Sequence, residues 1–140
     1  MTRVVRAEVT EEPITVEEVA ALVGDPAAGA VATFAGIVRD HDRGRGVTGI
    51  GYTAHPTATD VVRAVAEEVA TRPGLRALGV VHRVGDLRVG DTALAVAVSA
   101  DHRAEAFAAA GEVVELVKQR LPVWKRQLFA DGGAAWSNMP

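Results

Sequence analysis

The chain has 140 residues, 49% hydrophobic and 4% aromatic, with a formal net charge of −3; this is the length of one domain, 1–140, and a composition that argues against base-stacking or general nucleic-acid binding. It has no cysteine, which excludes a thiolate nucleophile, a cysteine-ligated zinc or iron–sulfur site and a disulfide scaffold. No apolar run is long enough to span a membrane, and the first residues lack the apolar stretch of a signal peptide, so a cytoplasmic protein is expected.

Residues 3–9 read as a strand with Val5, Ala7 and Val9 on one face. Thr15 to Glu18 has the form of a capping box, opening a short helix that runs to about Val23 and stops at Gly24-Asp25-Pro26. Residues 29–38 are apolar and bounded by turn residues, as in a buried strand. Residues 39–46 read as a charged loop. Residues 47–54 read as a strand weakened by Gly49 and Gly51. A second helix opens at Pro56 and Thr57, carries Val61, Val62, Val65 and Val69 as its apolar stripe, and ends at Pro73-Gly74. Strands follow at 77–84, between the Gly85-Asp86 and Gly90-Asp91 turns, and at 92–100. In the last of these Leu94, Val96 and Val98 face one way and Ala93, Ala95 and Ala97 the other. Asp101 is placed to cap a third helix reaching Arg120, with Phe107, Gly111, Val114 and Val117 at helical spacing. Pro122 ends it, a strand covers 123–130, and Asp131-Gly132-Gly133 turns the chain toward Trp136. These elements predict an α+β domain with about three helices and a mixed, mostly antiparallel sheet.

Thirteen of the fifteen basic residues are arginine; the two lysines, Lys118 and Lys125, lie seven residues apart. Arginine cannot replace lysine where an amine must give up a proton. From Leu116 to Ala130 there are four cations and no acid. Such a cluster attracts an anion and lowers the pKa of any one amine. Pro122 forces a helix-to-strand turn between the lysines, so both can converge on one pocket. The plainer alternative, a solvated basic helix end, accounts for Lys118 and Arg120 but not for Lys125 and Arg126.

Asp101-His102-Arg103 could form an anion site at the third helix's start or an ordinary cap. Arg39 closes a buried strand, where it could meet a ligand or only solvent. The histidines at 41, 55, 82 and 102 include no helical pair, so spacing does not favour a metal. His102 and Lys118 are sixteen residues apart on one helix, about 24 Å at 1.5 Å per residue. They cannot both touch one small molecule within a chain. If both act, there are two sites, or one site is shared between subunits.

Five segments in order resemble the catalytic large subunit of molybdopterin synthase, the MoaE family: Gly29 through Arg39, Ala54-His55-Pro56, His82 through Asp86, Ala100 through Phe107, and Lys118 through Arg126. The resemblance covers about Thr10 to Trp136 and implies an α/β hammerhead fold in a homodimer. It also implies a partner, a small ubiquitin-like sulfur carrier of the MoaD family, in a heterotetramer. The carrier's C-terminal Gly-Gly thiocarboxylate would deliver two sulfurs to cyclic pyranopterin monophosphate, forming the molybdopterin dithiolene in molybdenum cofactor biosynthesis. No cofactor or metal is implied, since the sulfur arrives on the partner. Gly132-Gly133 is not itself such a tail, because seven residues follow it.

Position by position, the resemblance makes Lys118 the principal catalytic lysine and Lys125 the second. It makes Arg39 a pocket arginine, with Ile37 and Val38 as wall. His102 and Arg103 become substrate anchors, which the helix length assigns to the other subunit's site, and Arg126 and Gln127 extend the contact of Lys125. The chain departs from the family at Gly51 and Thr53, where an acid is common, at His55, where an aromatic is common, and in a short tail after Trp136. A non-catalytic module sensing a phosphorylated metabolite, or a paralogue that only holds the carrier, are the alternatives to an enzyme.

Overall fold

The computed structural model describes residues 1–138; the end of the short tail, Met139 and Pro140, lies outside the described residues. The elements run β1 (Arg3–Thr10), α1 (Val16–Leu22), β2 (Ala30–Ile37), β3 (His41–Asp42), β4 (Arg45–Ala54), α2 (Ala58–Ala70), β5 (Leu75–Arg83), β6 (Gly85–Arg88), β7 (Thr92–Ala100), α3 (Arg103–Arg120), β8 (Val123–Phe129) and β9 (Ala134–Ser137). The three helices and the mostly antiparallel pairing are as expected. The strands divide, however, between two sheets. The first has the order β1-β5-β7-β2; the second has β3-β4-β8-β9, with β6 also on β4. Only β1 and β5 run parallel among the described strands.

The first sheet is covered on both faces. Helix α1, closed by the expected capping box of Thr15 and Glu18, packs Val19 and Val23 on Ala77, Val81, Ala95 and Ala97. The small alanines let this helix approach closely. Helices α2 and α3 cover the other face, setting Val62, Val65, Val113 and Val117 against Leu78, Val80, Val96 and Val98. The same core runs on into the second sheet through Ile50, Tyr52, Leu87 and Val123.

Several local expectations are corrected. The register slips between Val4 and Arg6, so Val4 joins Ala7 and Val9 in the larger core while Val5 packs on the α1 side. A further slip lies opposite Ile37, where Leu94 and Thr92 are paired and Ala93 is skipped; Ala93 therefore joins Leu94 in the larger core instead of Ala95 and Ala97. Residues 39–46 are not an open loop. Arg43 and Gly44 both have positive φ, at 50° and 80°, the two-residue turn that closes a tight hairpin between β3 and β4. Gly49 lets β6 lie against β4, since a Cβ there would sit 2.7 Å from the Leu87 carbonyl oxygen.

Asp101 does not cap α3. The N-cap is His102, with no side-chain hydrogen bond, and Asp101 instead pairs with Arg76. The buried stripe of α3 is Ala106, Ala109, Ala110, Val113, Val114 and Val117, offset from the one expected: Phe107 is 69% exposed. Alanines on the inner face allow the helix to sit close to β7 and β2, which turns the larger ring outward.

Candidate active site

Where the two sheets meet, a cavity of about 300 Å³ opens. Three structural facts build it. Helix α3 ends where Leu121 turns extended at the residue before Pro122, leaving Lys118 on its last turn. The turn is tied down by the His55 amide, which donates to the Pro122 carbonyl. Strand β8 then alternates, so Val123, Lys125, Gln127 and Phe129 share the inner face and Trp124, Arg126 and Leu128 the outer. Lys125 and Gln127 stand opposite Tyr52 and Ile50 of β4. Third, the end of β2 is clamped: the Val38 amide donates to the Asp91 carbonyl and the Gly90 amide to the Val38 carbonyl. This sets Ile37, Val38 and Arg39 on the cavity's edge.

Of the residues singled out in the sequence, Ile37, Val38, Arg39, Lys118, Lys125 and Gln127 line this one cavity. The structure does not bring His102, Arg103 or Arg126 to it. His102 and Arg103 start α3, at the far end from Lys118. Arg126 lies on the outer face of β8, its guanidinium 5.6 Å from the Trp136 ring centre. Sequence reasoning missed Phe34, Asp42, Tyr52, His82 and Leu94, which also line the cavity. The signals that could have found two of them are that Tyr52 is the only tyrosine and that His82 stands in one of the motif segments.

The electrostatics follow from this placement. Burial lowers the pKa of the Lys125 amine, and the positive charge of Lys118 lowers it further; Asp42 opposes them, while Arg39 adds to the fall. Arg39 reaches Asp42 at 3.3 Å, which holds the guanidinium over the hairpin. Beneath the lysines, burial drives the His82 imidazole down to about 4, helped by the charge of Lys118. Burial also drives the Tyr52 phenol up to about 12. The site is therefore cationic at its rim and neutral at its floor. It can attract an anionic molecule, hold it by charge, and supply an amine that parts with its proton more readily than an ordinary lysine. Among the described residues no group of three or more His, Asp or Glu is arranged to hold a metal, and no helix is long and apolar enough to cross a membrane.

Two sheets meeting at a lysine-lined, anion-attracting pocket define a small α+β domain with a candidate active site. The family described as MoaE protein matches residues 9–120. The chain is 41% identical to molybdopterin synthase catalytic subunit 1 of Mycobacterium tuberculosis, over 91% of this chain and 86% of that one. It is 35% identical to the molybdopterin synthase catalytic subunit of a Nostoc species, over 91% and 79%. Molybdopterin synthase from Staphylococcus aureus superposes with a TM-score of 0.85 at 32% identity, covering 94% of this chain and 96% of that one. A complex of subunits 1 and 2 of molybdopterin-converting factor from Helicobacter pylori contains the same fold, with a TM-score of 0.70 at 19% identity, covering 93% and 88%. The chain belongs to the MoaE family.

Proposed function

We propose that this chain is the catalytic subunit of a molybdopterin synthase and acts as a sulfurtransferase. It takes two sulfurs from a thiocarboxylated carrier of the MoaD type and passes them to cyclic pyranopterin monophosphate, forming the dithiolene of molybdopterin. One observation carries this reading: the chain's only two lysines, from a helix end and a separate strand, face one cavity beside Arg39.

In this reading Lys118 moves protons next to the carrier's terminus as the cyclic phosphate opens and sulfur is transferred. Lys125 and Arg39 stabilise the negative charge that develops on phosphate and sulfur. Each carrier's sulfur bonds to a substrate carbon and water then cleaves the carrier's acyl–sulfur bond, so the carrier ends as a carboxylate, the sulfur stays on the pterin, and the step draws on no cofactor of the chain's own. His102 and Arg103 serve the cavity of another copy. Support for that arrangement comes from the edge position of strand β2, whose free side is open to a second copy, and from the exposed apolar side chains Val31 and Ile37 that it carries.

Single-turnover conversion of the pterin with a thiocarboxylated carrier tests the proposal. Wild type should yield dithiolene product. Lys118→Ala should lose about 10²- to 10⁴-fold in rate, and Lys118→Arg should bind both partners yet stay nearly as slow, because an arginine keeps its proton. A wild type that binds pterin or carrier but makes no product would instead define a binding module.

A further inference from the structure

The proposed chemistry uses the cationic rim of the cavity and leaves its floor without a role. There, His82 of β5 is only 2% exposed, yet it is among the residues that line the cavity. One ring nitrogen is committed: Nδ1 lies 2.7 Å from the Arg83 carbonyl oxygen. A carbonyl only accepts, so Nδ1 carries the hydrogen. Because burial keeps the ring neutral down to about pH 4, Nε2 is left as a bare acceptor with its direction fixed.

Tyr52 meets His82 edge-on, with ring centres 5.0 Å apart and planes at 81°. Its phenol stays protonated up to about 12 and so is a permanent donor. The two residues come from different sheets, and both are buried, Tyr52 within the larger core. Among the described residues neither Nε2 nor the phenol oxygen hydrogen-bonds to protein, and neither is among the fully enclosed unpartnered side-chain atoms, which are Arg83 Nε and Glu105 Oε2. Both therefore open onto the cavity.

We propose that His82 and Tyr52 form a neutral acceptor–donor pair that orients the heterocyclic part of the substrate, while Arg39, Lys118 and Lys125 take its anionic part. A fused heterocycle presents ring N–H groups beside a carbonyl, and an acceptor and a donor carried on two rings whose centres are 5.0 Å apart are of the kind that edge requires. Charged groups at the rim bind phosphate without regard to what carries it, so discrimination between substrates falls to the floor. This inference rests on the pterin reading above and assigns a part of the same site.

The test measures Kd for cyclic pyranopterin monophosphate and for inorganic phosphate on wild type, His82→Leu, His82→Gln and Tyr52→Phe, each checked by thermal melting. Leu keeps the volume and removes the acceptor; Gln restores an oxygen near the place of Nε2. His82→Leu is expected to weaken pterin binding about ten-fold or more and leave phosphate binding unchanged, with His82→Gln recovering most of the loss. Tyr52→Phe should shift binding the same way, and it carries the test alone if the Leu variant does not fold. Unchanged pterin binding in the variants, or parallel loss of pterin and phosphate, would overturn the proposal. A wild type that holds phosphate but not the pterin would remove the functional reading itself. One that holds the pterin equally well with and without His82 would remove only this inference.

Discussion

The two sheets obey different rules. Strands β5 and β7 of the first are buried along nearly their whole length, with helices on both faces. Strand β8 of the second alternates between buried or half-buried and exposed positions, and its outer face shows Trp124, Arg126 and Leu128 to solvent. The first sheet resists change and carries stability. The other has one face to spare for chemistry. The site lies at their junction because only there can a helix end from one layer and a polar strand face from the other open onto the same space. Lys118 and His82 come from the rigid layer, Lys125 and Tyr52 from the thin one.

This contrast is broken most directly by cutting the same side chain in both layers. Leu78 of β5 is fully buried, and Leu128 of β8 is 36% exposed. Leu78→Ala should cost about 3 kcal/mol of stability, and Leu128→Ala no more than about 0.5 kcal/mol, measured by chemical denaturation. Equal losses would mean that the outer face of the second sheet is packed rather than free.

A further expectation concerns His82, which ties the layers together through Tyr52. Its ordinary pKa is 6.5 and its folded value about 4. Between these the unfolded ring binds a proton that the native ring does not, so stability rises with pH through that window. Acidifying from pH 7 to 4 should therefore remove up to about 3 kcal/mol on this account. His82→Leu should show a flatter profile. Asp40, Glu68 and Asp131, whose pKa values are lowered by hydrogen bonds from His41, Arg120 and the Gly133 amide respectively, are shared by both proteins. The difference between the two curves thus isolates His82. Identical slopes would mean that the ring is not held neutral in the fold.

The two lysines give a direct reading of the junction. With only two in the chain, reductive methylation with a carbon-13 label yields two lysine resonances that can be titrated separately by NMR. Lys125 should lose its proton below the usual lysine range. Lys118→Met should raise its midpoint, because a positive neighbour is removed, but not restore it fully, because burial is the larger cause. A Lys125 midpoint indifferent to Lys118 would show that the two amines do not share a cavity.

What can be read from residues alone follows the same division. The capping box at Thr15, the proline at 122 and the long apolar run of β7 are legible because each is a local signal with one physical meaning. The convergence of Lys118 and Lys125 is legible because a proline-broken helix leads directly into a strand. Two sheets instead of one are not legible: β4 reaches β8 across more than sixty residues, and no local pattern records that pairing. Helical spacing points Phe107 inward because large rings are usually buried, whereas α3 uses alanines to approach the sheet. The displacement of Ala93 depends on a register slip that only the partner strand reveals. His82 and Tyr52 escape notice as a pair for the same reason, since they meet only when the two sheets do.

The smallest effect sharpens the comparison most finely, within one strand. Arg126 and Gln127 are adjacent, and the family resemblance assigns both to the substrate. In the fold, Gln127 lines the cavity while Arg126 leans over Trp136 on the opposite face. Arg126→Ala should cost about 0.5 kcal/mol of stability from the lost ring contact and leave pterin binding as it was, whereas Gln127→Ala should weaken pterin binding. If calorimetry shows both variants losing pterin affinity alike, the substrate is not met by the inner face of β8 alone. The outer face of β8 would then have to meet substrate held in another copy, and Arg126 would join His102 and Arg103 among the residues that act across a subunit boundary.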